Sequence, residues 1–309
     1  MTGCPVQLAD VNADATQRAL TRLLQESTEF ESQGLFPRGA SELLQENLRA
    51  AASVEHAVET VDYVQEAVFE LVEVKHDVLS RIERAARPDA IIGTNTSTIP
   101  VHVLAEALTD ASRFLTVHWS NPAPFIPGIE LVAGERTDPA VLAPVQEMIT
   151  RAGRQSALVA DVPGFVLNRL QYVLLKEAMD IVAEGVATPA DVDTIVRTTF
   201  GYRLPFFGPF AIADMAGLDV YAGGFRVLER AFGERLAPPK QLTDLVAQGK
   251  YGVKTGSGFL ELDEHSRKDL ISYRNRAYSK MGELLRELGP SPLSEARLRS
   301  PEPGPTEKL

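Results

Sequence analysis

Cysteine is nearly absent from this chain, which contains one, Cys4, among 309 residues. A single thiol excludes an internal disulfide and a zinc site built from cysteine ligands. The five histidines form no HxH or HxxxH pair, the spacings of common metal sites, so we expect no metal. Cysteine usage of this kind is typical of a cytoplasmic protein, and we expect that location.

Positive charge and long apolar runs are also scarce. The chain carries 31 Lys and Arg against 42 Asp and Glu, a net charge of −11, which argues against a nucleic acid or an anionic membrane as partner. No apolar run approaches the ~18 residues of a membrane-spanning helix. The opening MTGCPVQLADVN lacks the pattern of a secretory signal. The length and the ordinary apolar share, 44%, allow two globular domains.

The first half of the chain alternates short apolar runs with amphipathic segments. The predicted strands are 5–9, 49–53, 63–68, 90–94, 114–119, 129–133 and 156–160. The predicted helices between them are 13–27, 72–86, 100–107 and 138–152. Residues 28–45 are polar and interrupted by Gly and Pro, which indicates a loop or a helical excursion. The alternation predicts an α/β domain with a mostly parallel sheet over 1–160.

After residue 160 the pattern becomes helical. The predicted helices are 164–186, 188–199, 209–216, 217–233, 239–248 and 265–288. We therefore predict an all-helical domain over 161–288. The proline-rich tail, 289–309, is predicted to be disordered.

Polar side chains follow one of the predicted strands directly. Asn95, Thr96 and Ser97 come after a short apolar run, at the carboxyl end of a strand. An open parallel sheet binds its ligands at this edge. Ser97 or Thr98 could instead cap the helix that begins near Pro100, and the segment alone leaves both interpretations open.

An acid lies inside another apolar strand, twelve residues after a histidine. Glu130 interrupts the run 129–133, and an unpaired buried carboxylate is costly. His118, near the carboxyl end of the strand 114–119, is the obvious partner. Such a pair suits a general base, because the carboxylate holds one ring N–H and stabilises the imidazolium. A purely structural hydrogen bond is the alternative.

Charged residues follow two further strands. Asp10 ends the first strand, where a dinucleotide-binding fold places the acid that binds ribose hydroxyls, although a turn or cap is the alternative. Glu66, Glu70 and Lys75 surround the end of another strand. Judged by charge alone, they are typical of a solvated helix start.

Together, these segments resemble the 3-hydroxyacyl-CoA dehydrogenase family from about residue 5 to about residue 262. The motifs that carry the resemblance are QEAVFELVEVK (65–75), TNTSTI (94–99), HWSNPAPFIPGIELV (118–132), DVPGFVLNRL (161–170), GPF (208–210), DMAGLD (214–219) and KYGVKTGSGF (250–259). The stretch from 118 to 132 is similar to the branch that acts on small polar hydroxy acids. That branch holds L-gulonate 3-dehydrogenase with lambda-crystallin, carnitine 3-dehydrogenases and a pyridine-carboxylate dehydrogenase.

The resemblance implies a Rossmann-like, mostly parallel sheet, a helical substrate and dimerisation domain, and a homodimer. It implies hydride transfer between NAD and the hydroxyl-bearing carbon of a small hydroxy acid. His118 matches the catalytic base, Glu130 its orienting acid, and Ser97 and Asn168 the groups that support the reacting oxygen. The implied cofactor contacts are Asp10, Glu70, Lys75, Asn95 and Ser97. NAD is favoured over NADP because the acid at Asp10 would repel a ribose phosphate.

The family's opening strand and GxGxxG turn have no counterpart here, so the sheet is predicted to be N-terminally truncated. Gly3, Gly34 and Gly39 are the only glycines before residue 50. That turn holds the pyrophosphate on backbone N–H groups. We expect either a true start about 25 residues upstream or a shortened, non-catalytic member that binds cofactor poorly. The other alternative is a 3-hydroxyacyl-CoA dehydrogenase proper. Two features count against it: Leu71 stands where the acyl-CoA enzymes commonly have Asn, and the polar segment 28–45 is not recognisable as their CoA-binding region.

Overall fold

The computed structural model describes residues 2–292, and these form two compact units that are divided between Leu174 and Leu175. Most of the tail predicted to be disordered, from 293 onward, lies outside the described residues. The predicted domain boundary after residue 160 follows the last strand and stays a prediction. None of the described helices is long and apolar enough to cross a membrane.

The first unit alternates strands and helices, as the sequence predicts. Its strands are β1 Val6–Leu8, β2 Leu48–Ala50, β3 Tyr63–Glu66, β4 Ile91–Thr94, β5 Phe114–Trp119, β6 Gly128–Ala133 and β7 Gln155–Val159. Its helices are α1 Ala13–Ser32, α2 Ala40–Asn47, α3 Val54–Val58, α4 Val72–Ala85, α5 Val101–Ala105 and α6 Leu142–Arg151, the last preceded by a 3₁₀ turn, Pro139–Val141. The predicted α/β class is therefore confirmed.

The strands form two sheets. One pairs β1 with β2, and the other has the order β3-β4-β5-β6-β7. Every pair is parallel except β5 with β6, which is antiparallel, so the predicted mostly parallel sheet is confirmed. The carboxyl ends of β3, β4 and β5 therefore meet at one edge of the larger sheet.

Both faces of the larger sheet are covered by apolar layers, as a parallel sheet requires. Phe114 and Ile92 lie in the layer that holds Leu79 of α4 and Leu104 of α5. The intervening residues of the strands, such as Leu115 and Val117, lie in the opposite layer with Val145 and Ile149 of α6. This alternation places Thr116 and His118 on the α4 and α5 side of the sheet.

The segment predicted as a loop, 28–45, is largely helical. Helix α1 continues five residues beyond its predicted end at 27, and the Ser27 hydroxyl donates to the Leu24 carbonyl within the helix. Helix α2 begins after Gly39, whose φ of 85° lies in the left-handed region and carries no side-chain cap. A polar helix without a capping side chain gives little signal in the sequence.

Strand β2 ends earlier than predicted, since helix α3 follows it. The strand was expected over 49–53 but stops at Ala50. Ser53 caps α3 instead, and its hydroxyl accepts from the His56 N–H at 3.2 Å. This is the usual role of a serine that precedes a helix.

From residue 160 to residue 292 the described chain forms helices and isolated bridges, which confirms the predicted helical C-terminal part. The helices are α7 Leu167–Ala183, which crosses from the first unit into the second, α8 Pro189–Thr198, α9 Phe200–Arg203, α10 Pro209–Ala216, α11 Leu218–Phe232, α12 Lys240–Ala247 and α13 Glu264–Leu288, with a 3₁₀ turn at Gly233–Leu236.

The glycine-rich stretch 250–259 packs around a buried acid of the second unit. Asp214 is fully buried, and its carboxylate accepts from the N–H groups of Phe259 and Leu260 at 3.1 and 2.7 Å. A Cβ at Gly252 or Gly258 would overlap Asp214. The glycines of KYGVKTGSGF are therefore required by the close approach of the backbone to Asp214. The stretch is a structural turn.

Candidate active site

His118 and Glu130 lie directly opposite each other on the antiparallel strands β5 and β6. The His118 Nδ1 atom lies 2.8 Å from Glu130 Oε2. Both side chains are largely buried, with 5% and 12% of their surface exposed. The register of the two strands thus brings together the histidine and the acid that the sequence singled out.

The partners of His118 fix which ring nitrogen carries the proton. A carboxylate can only accept, so the hydrogen lies on Nδ1 and is donated to Glu130. The other nitrogen, Nε2, lies 3.1 Å from Ser97 Oγ and accepts from that hydroxyl. His118 is therefore set up to take a proton at Nε2 while Glu130 stabilises the resulting charge.

Glu130 also holds the start of helix α7. Its second oxygen, Oε1, accepts from the N–H groups of Val166 and Leu167, each at 2.9 Å. These are orphan donors of the helix N-terminus, where a carboxylate is favoured. Three hydrogen bonds therefore fix the acid that orients His118.

Asn168 completes the predicted catalytic set from the first turn of α7. Its Nδ2 donates to the Ser97 carbonyl at 2.8 Å. Asn168, Ser97, His118 and Glu130 thus form one continuous hydrogen-bonded chain within the first unit. The geometry brings all four residues together, while the role of each stays a prediction.

The turn that carries Ser97 does not cap helix α5. Pro100 precedes that helix, and the N–H groups of Val101 and His102 bind the Asp161 carboxylate at 2.7 and 2.9 Å. The interpretation of Ser97 or Thr98 as the cap of this helix is therefore wrong. The N–H groups at the start of α5 are capped by Asp161, which lies sixty residues along the chain, and no local hydroxyl is needed there.

Three of the predicted cofactor residues, Asn95, Ser97 and Glu70, lie around the end of β4. Asn95 Oδ1 accepts from the Trp119 N–H at 2.8 Å and so ties β4 to β5. Glu70 binds the Ser97 turn and is 37% exposed.

The other two predicted cofactor residues lie apart from this turn in different ways. Lys75 is fully buried behind Glu70, and its Nζ lies 2.9 Å from Glu66. Asp10 follows β1 in the smaller sheet, where its exposed carboxylate accepts from the Val11 N–H at 2.7 Å.

Phe165 belongs to the site, although sequence analysis did not identify it. The side chain is fully buried, and its ring centroid lies 5.8 Å from that of His118. Its φ of 50° is left-handed, a conformation that costs a non-glycine residue ~1–3 kcal/mol and clusters at functional sites. The signal in the sequence was the PGF triplet, but backbone strain cannot be read from residue types.

Two sequence models of the 3-hydroxyacyl-CoA dehydrogenase family match this chain. The NAD binding domain matches residues 1–162, and the C-terminal domain matches residues 164–262. Together they cover more than half of the chain.

Similar proteins include two curated dehydrogenases and one solved structure. A 5-formyl-3-hydroxy-2-methylpyridine 4-carboxylate 5-dehydrogenase of Mesorhizobium japonicum is 34% identical over 275 residues, which cover 89% of this chain and 88% of that protein. An L-carnitine dehydrogenase of Pseudomonas putida is 34% identical over 78% of this chain and 75% of its own. The crystal structure of a 3-hydroxyacyl-CoA dehydrogenase from Archaeoglobus fulgidus has a TM-score of 0.72 and 31% identity, and covers 93% of this chain and 91% of its own.

Proposed function

This chain belongs to the 3-hydroxyacyl-CoA dehydrogenase family, and from that premise we propose that it oxidises a small hydroxy acid. The protein is an NAD-dependent dehydrogenase acting on CH–OH carbons, as its family and its named relatives are. The observation that carries the proposal is the hydrogen-bonded chain of Glu130, His118 and Ser97, because it leaves a basic ring nitrogen beside a hydroxyl donor.

The polar groups past β1 and β4 suit a dinucleotide. Asp10 offers exposed carboxylate oxygens of the kind that bind ribose hydroxyls. The turn past β4 offers the amide of Asn95 and the hydroxyl of Ser97. We assign Asp10 to the adenosine ribose, and Asn95 and Ser97 to the nicotinamide end. Glu70 and Lys75 would act on the cofactor only indirectly, through the turn that carries Ser97. Bound NAD⁺ supplies the hydride acceptor.

The residues of the chain handle the proton and the oxygen. His118 Nε2 takes the proton of the substrate hydroxyl, and Glu130 stabilises the imidazolium that forms. Ser97 Oγ and Asn168 Nδ2 then donate to the oxygen as it becomes a carbonyl. Each such donor lowers the activation barrier by about 3 kcal/mol when it is aligned with developing charge. In the reverse direction, the same groups protonate the oxygen of a ketone or aldehyde.

A free acid is the favoured substrate because the two curated relatives at 34% identity are named for a pyridine carboxylate and for carnitine. The second candidate is a 3-hydroxyacyl-CoA, and the similar Archaeoglobus structure favours it. Leu71 counts against this second candidate. Its side chain, which is apolar and 57% exposed beside Glu70, stands where the acyl-CoA enzymes commonly have Asn.

The test is turnover by the full chain. NADH fluorescence should first show binding below about millimolar cofactor, the usual upper range for enzyme substrates. NADH formation is then measured with a panel of free hydroxy acids and with 3-hydroxybutyryl-CoA. Turnover of a free acid alone supports the proposal, and turnover of the thioester alone selects the second candidate. No NADH binding would contradict both.

We further propose that residues 1–160 form the cofactor domain and that 161–288 form the substrate and dimerisation domain of a cytoplasmic homodimer. The dimer is supported by helix α7, which has no buried residue although it is rich in apolar side chains. Tyr172, Val173 and Met179 are each more than 60% exposed. A second copy of the chain is the occupant we assign to this apolar surface.

A further inference from the structure

We propose that Glu70 is a positioning residue that holds the turn carrying Ser97 and so fixes the Ser97 hydroxyl against His118. The inference rests on the proposed function, because it assigns Ser97 a role in that reaction. It differs from the cofactor contact that family resemblance implies for Glu70, since it acts through Ser97 and not through NAD.

One carboxylate oxygen of Glu70 gathers the turn. Oε1 accepts from the N–H groups of Ser97 and Thr98 at 2.8 and 2.9 Å. It also accepts from the hydroxyls of Thr96 and Thr98 at 2.7 and 3.2 Å. Successive N–H groups that converge on one anion form a nest, and the anion fixes the backbone conformation. Ser97 is thereby fixed on both sides, by Glu70 at its N–H and by Asn168 at its carbonyl.

The other oxygen of Glu70 is tied to a buried ion pair. Oε2 lies 3.5 Å from Nζ of Lys75. Lys75 is fully buried and bonds Glu66 at 2.9 and 3.2 Å. Glu66, at the end of β3, also accepts from the Thr94 hydroxyl of β4 at 2.5 Å. Glu70 therefore links the Ser97 turn to a rigid anchor in the sheet, and this gives Lys75 a use that needs no contact with a cofactor.

The charge of Glu70 supports the same interpretation. Partial burial raises the pKa of Glu70, but hydrogen bonds from Thr96, Thr98 and Ser97 and the nearby Lys75 outweigh it, so the net pKa is lowered. The carboxylate thus stays ionised at neutral pH, which is the form that accepts several donors at once.

The first readout needs no substrate and no cofactor. Hydrogen–deuterium exchange of the segment 93–100 is compared among the wild type, Glu70→Ala, Glu70→Gln and Glu73→Ala. Glu73 is the matched control, since it is an exposed acid three residues away on α4. Glu70→Ala should speed exchange at the Ser97 turn about tenfold, because two amide hydrogen bonds lose their acceptor. Glu70→Gln, which keeps an acceptor oxygen, should restore most of the protection.

The second readout separates positioning from cofactor contact. Glu70→Ala should lower kcat by about 10-fold to 100-fold, as expected for a displaced donor, with KM for NAD unchanged. In a Ser97→Ala background, the same substitution should cost nothing further, because Glu70 acts through Ser97. Losses that multiply in the double variant, or a raised KM for NAD with kcat retained, would overturn the proposal.

The two readouts also keep this inference distinct from the proposed function. If the wild type turns over no hydroxy acid, the proposed function fails, while the exchange experiment still tests whether Glu70 holds the turn. If the enzyme is active and Glu70→Ala exchanges like the wild type, the positioning role alone fails. Should Glu70→Ala not fold, Glu70→Asp replaces it, since its shorter side chain withdraws the carboxylate; faster exchange supports the proposal, and wild-type exchange overturns it.

Discussion

Glu130 performs two tasks with one carboxylate, and its substitution tests the catalytic geometry at the scale of a residue. Under the proposed function, Glu130→Gln removes the negative charge that would stabilise the His118 imidazolium, and it offers Nδ1 a weaker partner. We expect kcat to fall by on the order of 100-fold or more, with KM for NAD little changed. Steady-state kinetics measure this, and Glu135→Gln, an exposed acid just beyond β6, is the control. Wild-type turnover in Glu130→Gln would contradict the assignment of Glu130 as the acid that orients His118 and stabilises its charge.

Thr116 offers a second test at this scale, in stability. Its hydroxyl is buried and has no hydrogen-bond partner among the described residues. Replacing an unsatisfied buried hydroxyl by a methyl group of the same shape is favourable, so Thr116→Val should raise the free energy of unfolding by about 1 kcal/mol. Chemical denaturation measures the change.

The neighbouring strand supplies the control for that substitution. Thr94 lies beside Thr116 in the register of β4 and β5, but its hydroxyl donates to Glu66 at 2.5 Å. Thr94→Val should therefore lower the free energy of unfolding by about 1–3 kcal/mol, because a buried carboxylate loses a donor. Equal effects of the two substitutions would show that hydrogen bonding does not separate the sites.

At the scale of elements, Glu31 of helix α1 accepts hydrogen bonds from Gly39 and Ser41 at the start of helix α2 and so links the two helices. The Ser41 hydroxyl, followed by the N–H groups of Ser41 and Gly39, lowers the pKa of Glu31 from 4.5 to about 2. Since the folded pKa lies below the unfolded one, the stabilisation is fully present above about pH 4.5 and is lost as the pH falls toward about 2.

The sign of that shift gives a pH-dependent prediction. Glu31→Gln should lower the denaturation midpoint at pH 7, and its difference from the wild type should close between about pH 4.5 and about pH 2. Denaturant titrations across this range measure it. Glu42→Gln, an exposed acid of α2, should show no such closure. A gap that stays constant with pH would contradict the role of the ionised carboxylate.

The turn around Asp214 gives a further prediction for an element. Gly258→Ala would press a methyl group against the Asp214 carboxylate, so we expect a loss of about 1–3 kcal/mol in stability. Gly223→Ala is the contrast, because Gly223 lies in α11 with open space around it and alanine is the better helix former by ~1 kcal/mol. The thermal unfolding temperature should fall for Gly258→Ala and rise for Gly223→Ala.

At this scale, the sequence predicts well those features that follow from the periodicity of apolar residues and from the order of segments along the chain. The strands and the pairing of His118 with Glu130 follow from alternation along β5 and β6. The contacts of Glu70 were not predictable, since its donors lie 26 to 28 residues away and two of them are backbone N–H groups. The same holds for Asp161, whose contact with helix α5 depends on how the chain folds back.

At the scale of the whole molecule, the exposed apolar side chains of α7 predict a dimer. Light scattering of the purified protein should give about twice the chain mass of 33.7 kDa. Val173→Asp should shift the protein toward the monomer, because a charge would be buried at the contact. Gln25→Asp, which adds the same charge to an exposed position of α1, should not. A monomeric wild type would contradict the dimer.

The double duty of Glu130 limits how this site can be altered. Any exchange of the acid for another catalytic group also releases the N–H groups of Val166 and Leu167. An engineer who wishes to give His118 a different partner must therefore supply a new anchor for the helix in the same step. Intermediates with only one of the two changes should be both slower and less robust, so laboratory selection for new chemistry should stall at this position.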